Sequence, residues 1–233
     1  MRILILLFLS SSLFSLDLQG LKYKFTEAGV FAAGDSLVEL KPGIHFLTER
    51  TKTQQNLFIA IHGFQTEGYE WVYPLLNINS TKNHIAFYRW KTNGCPNFAT
   101  KNLFEILSEQ KNNYSKIILM GHSYGGIVIA QLLEKNYDTP TEMHIVASGI
   151  AGERRLNNWC GYEAPRKTGN NVEAYQWMTV KELDGAFKNL KTDTQIQKIE
   201  GVSAFRLPEE YKGNKLSHNW SISWVIDNLN SKQ

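Results

Sequence analysis

Several things are scarce in this chain, and each scarcity excludes something. No charge sign dominates: 25 Lys and Arg stand against 22 Asp and Glu, a net charge of +3 over 233 residues. The basic residues are scattered, and pairs such as Arg154-Arg155 and Arg166-Lys167 read as solvated loop charges, so the electrostatic footprint of a nucleic-acid binder is missing. There are only two cysteines, and neither is spaced from a histidine or the other cysteine as metal ligands are. No internal repeat or low-complexity stretch is visible, which leaves one domain as the expectation at this length. Beyond the first residues, no segment is long and apolar enough to cross a membrane.

The first residues are a different matter. Met1-Arg2 precedes Ile3-Leu4-Ile5-Leu6-Leu7-Phe8-Leu9, and Ser10 to Ser15 follow. One positive charge, an apolar core too short for a bilayer and small residues at a cleavage point are the three parts of a secretory signal. Residues 1–15 are therefore read as a signal peptide and 16–233 as the working domain of a secreted or periplasmic protein. Cys95 and Cys160 fit an exported protein, as one disulfide or as two separate thiols. Asn79, Asn113 and Asn219 begin Asn-x-Ser/Thr patterns, meaningful only in a host that glycosylates.

The stretch that carries chemistry is Lys116 to Gly126, where the apolar run Ile117-Ile118-Leu119-Met120 meets Gly121-His122-Ser123-Tyr124-Gly125-Gly126 and an apolar segment follows. A serine hydroxyl is a weak nucleophile at neutral pH. It needs a sharp strand-to-helix turn that exposes its oxygen beside a base, and small residues two before and two after it make that turn sterically feasible. Gly121 and Gly125 occupy those positions around Ser123. The helix start also turns the Tyr124 N–H toward the place where charge develops on an attacked carbonyl.

Around this turn the pattern alternates. Short edge strands are expected at 21–25 and 43–47, and a strand at 56–61 without apolar alternation, as in a parallel sheet buried on both faces. Further strands are expected at 84–90, 115–120, 141–148, 175–180 and 202–207. Helices are expected at 100–109, 123–135 and 219–229, the last burying Ile222, Val225, Ile226 and Leu229. Residues 149–171 read as a loop-rich insertion. Alternating strands and helices imply an α/β, doubly wound and mostly parallel sheet.

Through Gly121 to Gly126, the upstream Ile61-His62-Gly63-Phe64 and the late Ser217-His218-Asn219-Trp220, the chain resembles the α/β-hydrolase superfamily, in particular its lipase and esterase branch. The resemblance spans about Asn56 to Leu229. It implies the α/β-hydrolase fold, a Ser, acid, His triad in that chain order, and a short lid-like insertion at about 149–171. Of six histidines, only His144 and His218 then follow the nucleophile. His144 lies within an apolar strand, whereas His218 sits in a polar loop, so the base is His218. The acid is Asp184, which follows the strand before the histidine strand; Glu182 and Glu153 are the alternatives. The oxyanion hole is assigned to the backbone N–H groups of Phe64 and Tyr124, with Gln65 as an alternative to Phe64, and His62 is read as structural.

Both cysteine loops would emerge on the catalytic face of such a fold. Phe64, Tyr69, Trp71, Trp90, Phe98, Tyr124, Trp159 and Trp220 gather on loops expected there, either as an acyl pocket or as core under long loops. The expected activity is hydrolysis of a small-molecule or lipid ester through an acyl-enzyme, with no cofactor and no metal, and with a membrane surface approached only through a lipid substrate. An acyltransferase or thioesterase with the same triad is the alternative, and a non-catalytic binding protein on the same fold is a further one.

Overall fold

A computed structural model describes residues 16–78 and 80–231. The signal segment 1–15 and the Asn79 pattern lie outside the described residues.

Seven strands form one sheet in the order β1-β3-β2-β4-β5-β6-β7. These are β1 (Gly43–Phe46), β2 (Asn56–Ile61), β3 (Asn83–Arg89), β4 (Lys116–His122), β5 (Thr141–Val146), β6 (Val172–Met178) and β7 (Val202–Arg206). Every pairing is parallel except β1 with β3, so the antiparallel strand closes one edge of an α/β sheet. The unbroken apolar run of β2 explains its place inside the sheet. Leu57, Ile59 and Ile61 point into one core with Leu103, Ile127 and Ile129, while Phe58 and Ala60 point into the other with Trp71, Leu75 and Ile222.

Helices α3 (Asn97–Gln110) and α4 (Tyr124–Ala130) cover the first face. The second is covered by α1 (Leu18–Val38), α2 (Tyr69–Asn77) and α6 (Trp220–Ser231). Helix α5 (Arg154–Cys160) lies in the 149–171 segment, and a two-stranded ribbon of β8 (Glu210–Tyr211) and β9 (Asn214–Lys215) precedes α6.

Three expectations need correction. The strand expected at 21–25 is helix. The local alternation Leu21-Lys22-Tyr23-Lys24-Phe25 mimics a strand, but burial follows helical spacing. Leu18 and Leu21 are buried, Tyr23 is 66% exposed, and Asp17 caps the helix by accepting from the Gly20 N–H at 2.7 Å. Helix α2 was not anticipated; it is short, carries Pro74 in its interior, and lies between two strong strand signals. The elbow helix ends at Ala130 and continues as turns to Lys135, five residues short of the expected helix end.

The insertion is more ordered than a loop. Within it α5 buries Leu156, and the Tyr162 hydroxyl donates to the Ile150 carbonyl at 2.7 Å. Cys95 and Cys160 form a disulfide with a Cα–Cα separation of 5.3 Å, joining the loop after β3 to the end of α5. The Asn97 amide donates to the Cys160 carbonyl at 3.2 Å beside it. The bridge closes a loop with a sequence separation of 65. Cys95→Ser/Cys160→Ser is therefore expected to lower the unfolding free energy by about 2–4 kcal/mol, measured by urea titration. An unchanged midpoint with an unchanged denaturant slope would contradict this.

Candidate active site

The C-terminal ends of β2, β4, β6 and β7 bring the candidate residues to one edge of the sheet, where parallel α/β sheets bind ligands. Ser123 sits between β4 and α4 with φ 54 and ψ −120, a conformation that a side-chain-bearing residue adopts only when its surroundings impose it. The surroundings are tight. A Cβ on Gly125 would lie 2.3 Å from the Ile61 carbonyl oxygen, so only glycine lets α4 start against the end of β2. The Ser123 N–H donates to the Val146 carbonyl at 2.9 Å, tying the elbow to the end of β5.

The residues expected as base and acid are paired. His218 Nδ1 lies 3.0 Å from Asp184 Oδ2. Asp184 is fully buried and satisfied on both oxygens: the Thr179 hydroxyl donates to Oδ2 at 2.5 Å and the Ala186 N–H to Oδ1 at 2.8 Å. Donors of this kind hold a carboxylate in one orientation. The alternatives are placed elsewhere. Glu182, two residues before Asp184, is exposed and lies 4.0 Å from Lys181, and Glu153 is exposed at the start of α5.

His218 is held from two further sides. His122, directly before Ser123, donates through Nε2 to the His218 carbonyl at 3.1 Å, and the two rings lie 4.5 Å apart. The Phe187 ring meets the His218 ring edge-on at 5.5 Å. His122 is buried, and burial, followed by the neighbouring His218, holds its pKa well below that of an ordinary histidine. A sequence reading that treats this position as an arbitrary residue of the Gly-x-Ser-x-Gly pattern misses that it anchors the base loop.

The loop after β2 closes the site from the other side. A Cβ on Gly63 would sit 2.9 Å from Ser123 Cβ, so this backbone touches the elbow. Phe64 and Tyr124, the residues named for the oxyanion hole, meet edge-on with ring centroids 6.5 Å apart. Tyr124 is the first residue of α4, and its N–H has no partner four residues back within the helix. Gln65 adopts φ 50, which turns the chain sharply after Phe64.

His62 is structural. Its Nε2 accepts from the Trp90 N–H at 3.1 Å and faces Arg89 Nη1 at 3.0 Å, while Nδ1 donates to the Gly63 carbonyl at 2.9 Å. Burial is the main reason its pKa falls to about 4. The unfolded chain takes up this proton below about pH 6.5 and the folded chain does not until about pH 4, so stability is lost as pH falls through that window. Between pH 7 and pH 5 His62 alone is expected to cost about 2 kcal/mol, seen as a lower urea midpoint, and His62→Gln should flatten the slope. Identical midpoints for the parent protein at the two pH values would contradict this. His144 is likewise structural, buried between Glu142 at 2.6 Å and the Trp177 indole N–H at 3.1 Å.

The aromatic residues separate into three groups. Trp71 and Trp90 are core, at 0% and 3% exposure, and the Trp90 indole donates to the His62 carbonyl at 3.0 Å. Phe98 and Trp159 are exposed beside the disulfide, Trp220 is half-exposed against Tyr211, and Tyr124 donates through its hydroxyl to the Gly94 carbonyl at 2.6 Å. Only Phe64 and Tyr69 of the eight line the cleft that holds Ser123 and His218, whose volume is about 100 Å³. Its other walls include Gln65, Thr66, Glu67, Glu70 and Asn219, so most of the expected acyl-pocket aromatics serve packing or the outer rim. Among the described residues, no group of His, Cys, Asp and Glu is arranged to hold a metal ion.

This architecture is the α/β-hydrolase fold: a mostly parallel seven-stranded sheet with helices on both faces. No protein-family model matches the sequence, and no curated protein matches it either. Solved structures do. The chain is similar to Est1E from Butyrivibrio proteoclasticus, with a TM-score of 0.55, 12% identity and coverage of 81% of this chain and 91% of that one. It is also similar to Thermogutta terrifontis esterase 2, with a TM-score of 0.51, 9% identity and coverage of 81% and 87%. At such identities the likeness is one of fold.

Proposed function

We propose that this protein is a serine hydrolase that cleaves carboxylic esters through an acyl-enzyme on Ser123. The observation that carries this reading is the buried Asp184–His218 hydrogen bond in the cleft that also holds the strained elbow serine. Asp184 fixes the imidazole with its hydrogen on Nδ1, which leaves Nε2 as the base. His218 takes the Ser123 proton as Oγ attacks the ester carbonyl. The backbone N–H groups of Tyr124 and Phe64 receive the oxyanion, and His218 then returns the proton to the departing alcohol. Water activated by His218 completes the cycle by releasing the acid. The fold shared with Thermogutta terrifontis esterase 2 agrees with ester chemistry.

Export is part of the same proposal. The Met1 to Ser15 pattern supports it, and so does the Cys95–Cys160 disulfide, a bond that persists in oxidising compartments. The test is labelling by a fluorophosphonate probe. The folded protein is expected to label once, and Ser123→Ala is expected to abolish labelling; labelling that survives the substitution, or a folded parent protein that never labels, refutes the reading.

A further inference from the structure

The catalytic cycle makes no use of Glu70, yet this carboxyl lies in the wall of the cleft that holds Ser123 and His218. It stands at the start of α2 and is only 7% exposed. One oxygen, Oε1, accepts from the Thr66 hydroxyl; the other, Oε2, is buried and accepts no hydrogen bond of normal geometry from the described residues. A buried carboxyl oxygen that nothing pairs is unfavourable and uncommon in native proteins. The walls around it are also unusual for a site meant to hold an acyl chain. Among the described residues no aliphatic side chain lines the cleft, whose about 100 Å³ is well below the roughly 300–1,000 Å³ of pockets that enclose larger apolar ligands.

We propose that Glu70, braced by Thr66, is a specificity-determining residue that accepts a hydrogen bond from a hydroxyl group carried by a small ester substrate. This rests on the ester-hydrolase reading and deepens it: the preferred ester is short and hydroxylated near the scissile bond, not long-chained. The hydroxyl donates to Oε2, to which no described residue donates with normal geometry. Burial, the first influence on this carboxyl, raises its pKa, opposed by the Thr66 hydroxyl and by the backbone N–H groups of Glu70 and Gly68. Thr66 keeps the group in one rotamer by occupying Oε1. An ester with a methyl group in place of the hydroxyl leaves Oε2 buried and unpaired, and discrimination against an analogue that lacks a required hydroxyl is the strong kind.

The experiment compares pairs of esters that exchange a hydroxyl for a methyl group, by pH-stat determination of kcat/KM. Methyl 3-hydroxybutyrate against methyl 3-methylbutyrate probes the acyl side, and 2-hydroxyethyl butyrate against propyl butyrate probes the alcohol side. The parent protein is expected to prefer the hydroxylated ester in at least one pair by about tenfold or more. Glu70→Met should bring that ratio close to one, and Glu70→Gln, which retains an acceptor oxygen, should keep part of it. Thr66→Val, which frees the carboxyl to rotate, should also reduce the ratio and serves if Glu70→Met does not fold. Fluorophosphonate labelling of Ser123 separates the two levels of the argument. A protein that labels but shows no preference in either pair overturns the role of Glu70 alone, as does a preference that survives Glu70→Met. A parent protein that does not label overturns the ester-hydrolase reading and this inference with it.

Discussion

Ser123→Ala and His218→Ala are each expected to lower kcat by about 10⁵–10⁶-fold, and the double substitution is expected to cost little more than either alone. The reason is that nucleophile and base act as one unit. Without the imidazole the hydroxyl keeps its proton at neutral pH, and without the hydroxyl the imidazole has nothing to activate in acylation. KM should change far less, because neither side chain contributes much to binding the ground state of a neutral ester. The measurement is kcat on a short ester, with circular dichroism to verify folding. Single variants that retained a tenth of the activity, or losses that multiplied in the double variant, would show that the two side chains do not share a reaction step.

Much of the fold was legible because its signals are long and redundant. The run Asn56–Ile61 is apolar on both faces, and in the sheet Leu57, Ile59 and Ile61 pack into one core while Phe58 and Ala60 pack into the other. The turn at Ser123 was legible because close packing dictates its neighbours: only glycine fits at Gly125 against the end of β2. What escaped was local or long-range. At 21–25 a two-residue alternation competed with a helix whose burial is set by contacts far along the chain, such as the Leu18 N–H donating to the Leu47 carbonyl at 2.8 Å. The Cys95–Cys160 bridge needed three-dimensional proximity that spacing cannot supply.

The supporting residues of the site were the least visible. Thr179, His122 and Glu70 matter through partners that are 5, 96 and 4 residues away respectively, and nothing in their immediate sequence marks them. His122 was the nearest to being readable, since a histidine directly before the nucleophile has only the space beneath the elbow to occupy. Its burial and its bond to the His218 carbonyl mean that the nucleophile's strand also positions the base. Sequence order could rank Asp184 above Glu182 and Glu153 as the candidate acid; their hydrogen bonds it could not show, with three donors converging on the Asp184 carboxylate while Glu182 and Glu153 face solvent.

That convergence gives the second large effect. Asp184→Asn is expected to lower kcat by about 10⁴-fold while leaving the fold intact, whereas Glu182→Gln should change it less than twofold. The asparagine amide is the same size as the carboxylate, and the Ala186 N–H, a backbone donor that cannot turn away, still needs an acceptor. That N–H donates to Oδ1, so the amide oxygen takes the Oδ1 place and the NH₂ group takes the place of Oδ2, facing His218 Nδ1 and Thr179 Oγ1, whose hydrogen turns to Gln195 Oε1 at 3.0 Å. An NH₂ group directed at Nδ1 demands an unprotonated Nδ1, so the imidazole hydrogen moves to Nε2, and the nitrogen that should accept the serine proton already carries one. The loss therefore reflects the wrong tautomer, and it should be partly relieved at high pH, where serine can lose its proton without the imidazole. Asp184→Ala should be less folded than Asp184→Asn, because it strands the Ala186 donor in a fully buried site. If Asp184→Asn kept its activity and Glu182→Gln or Glu153→Gln lost it, the acid would belong to one of those exposed carboxylates, and the 3.0 Å contact to His218 would be only structural.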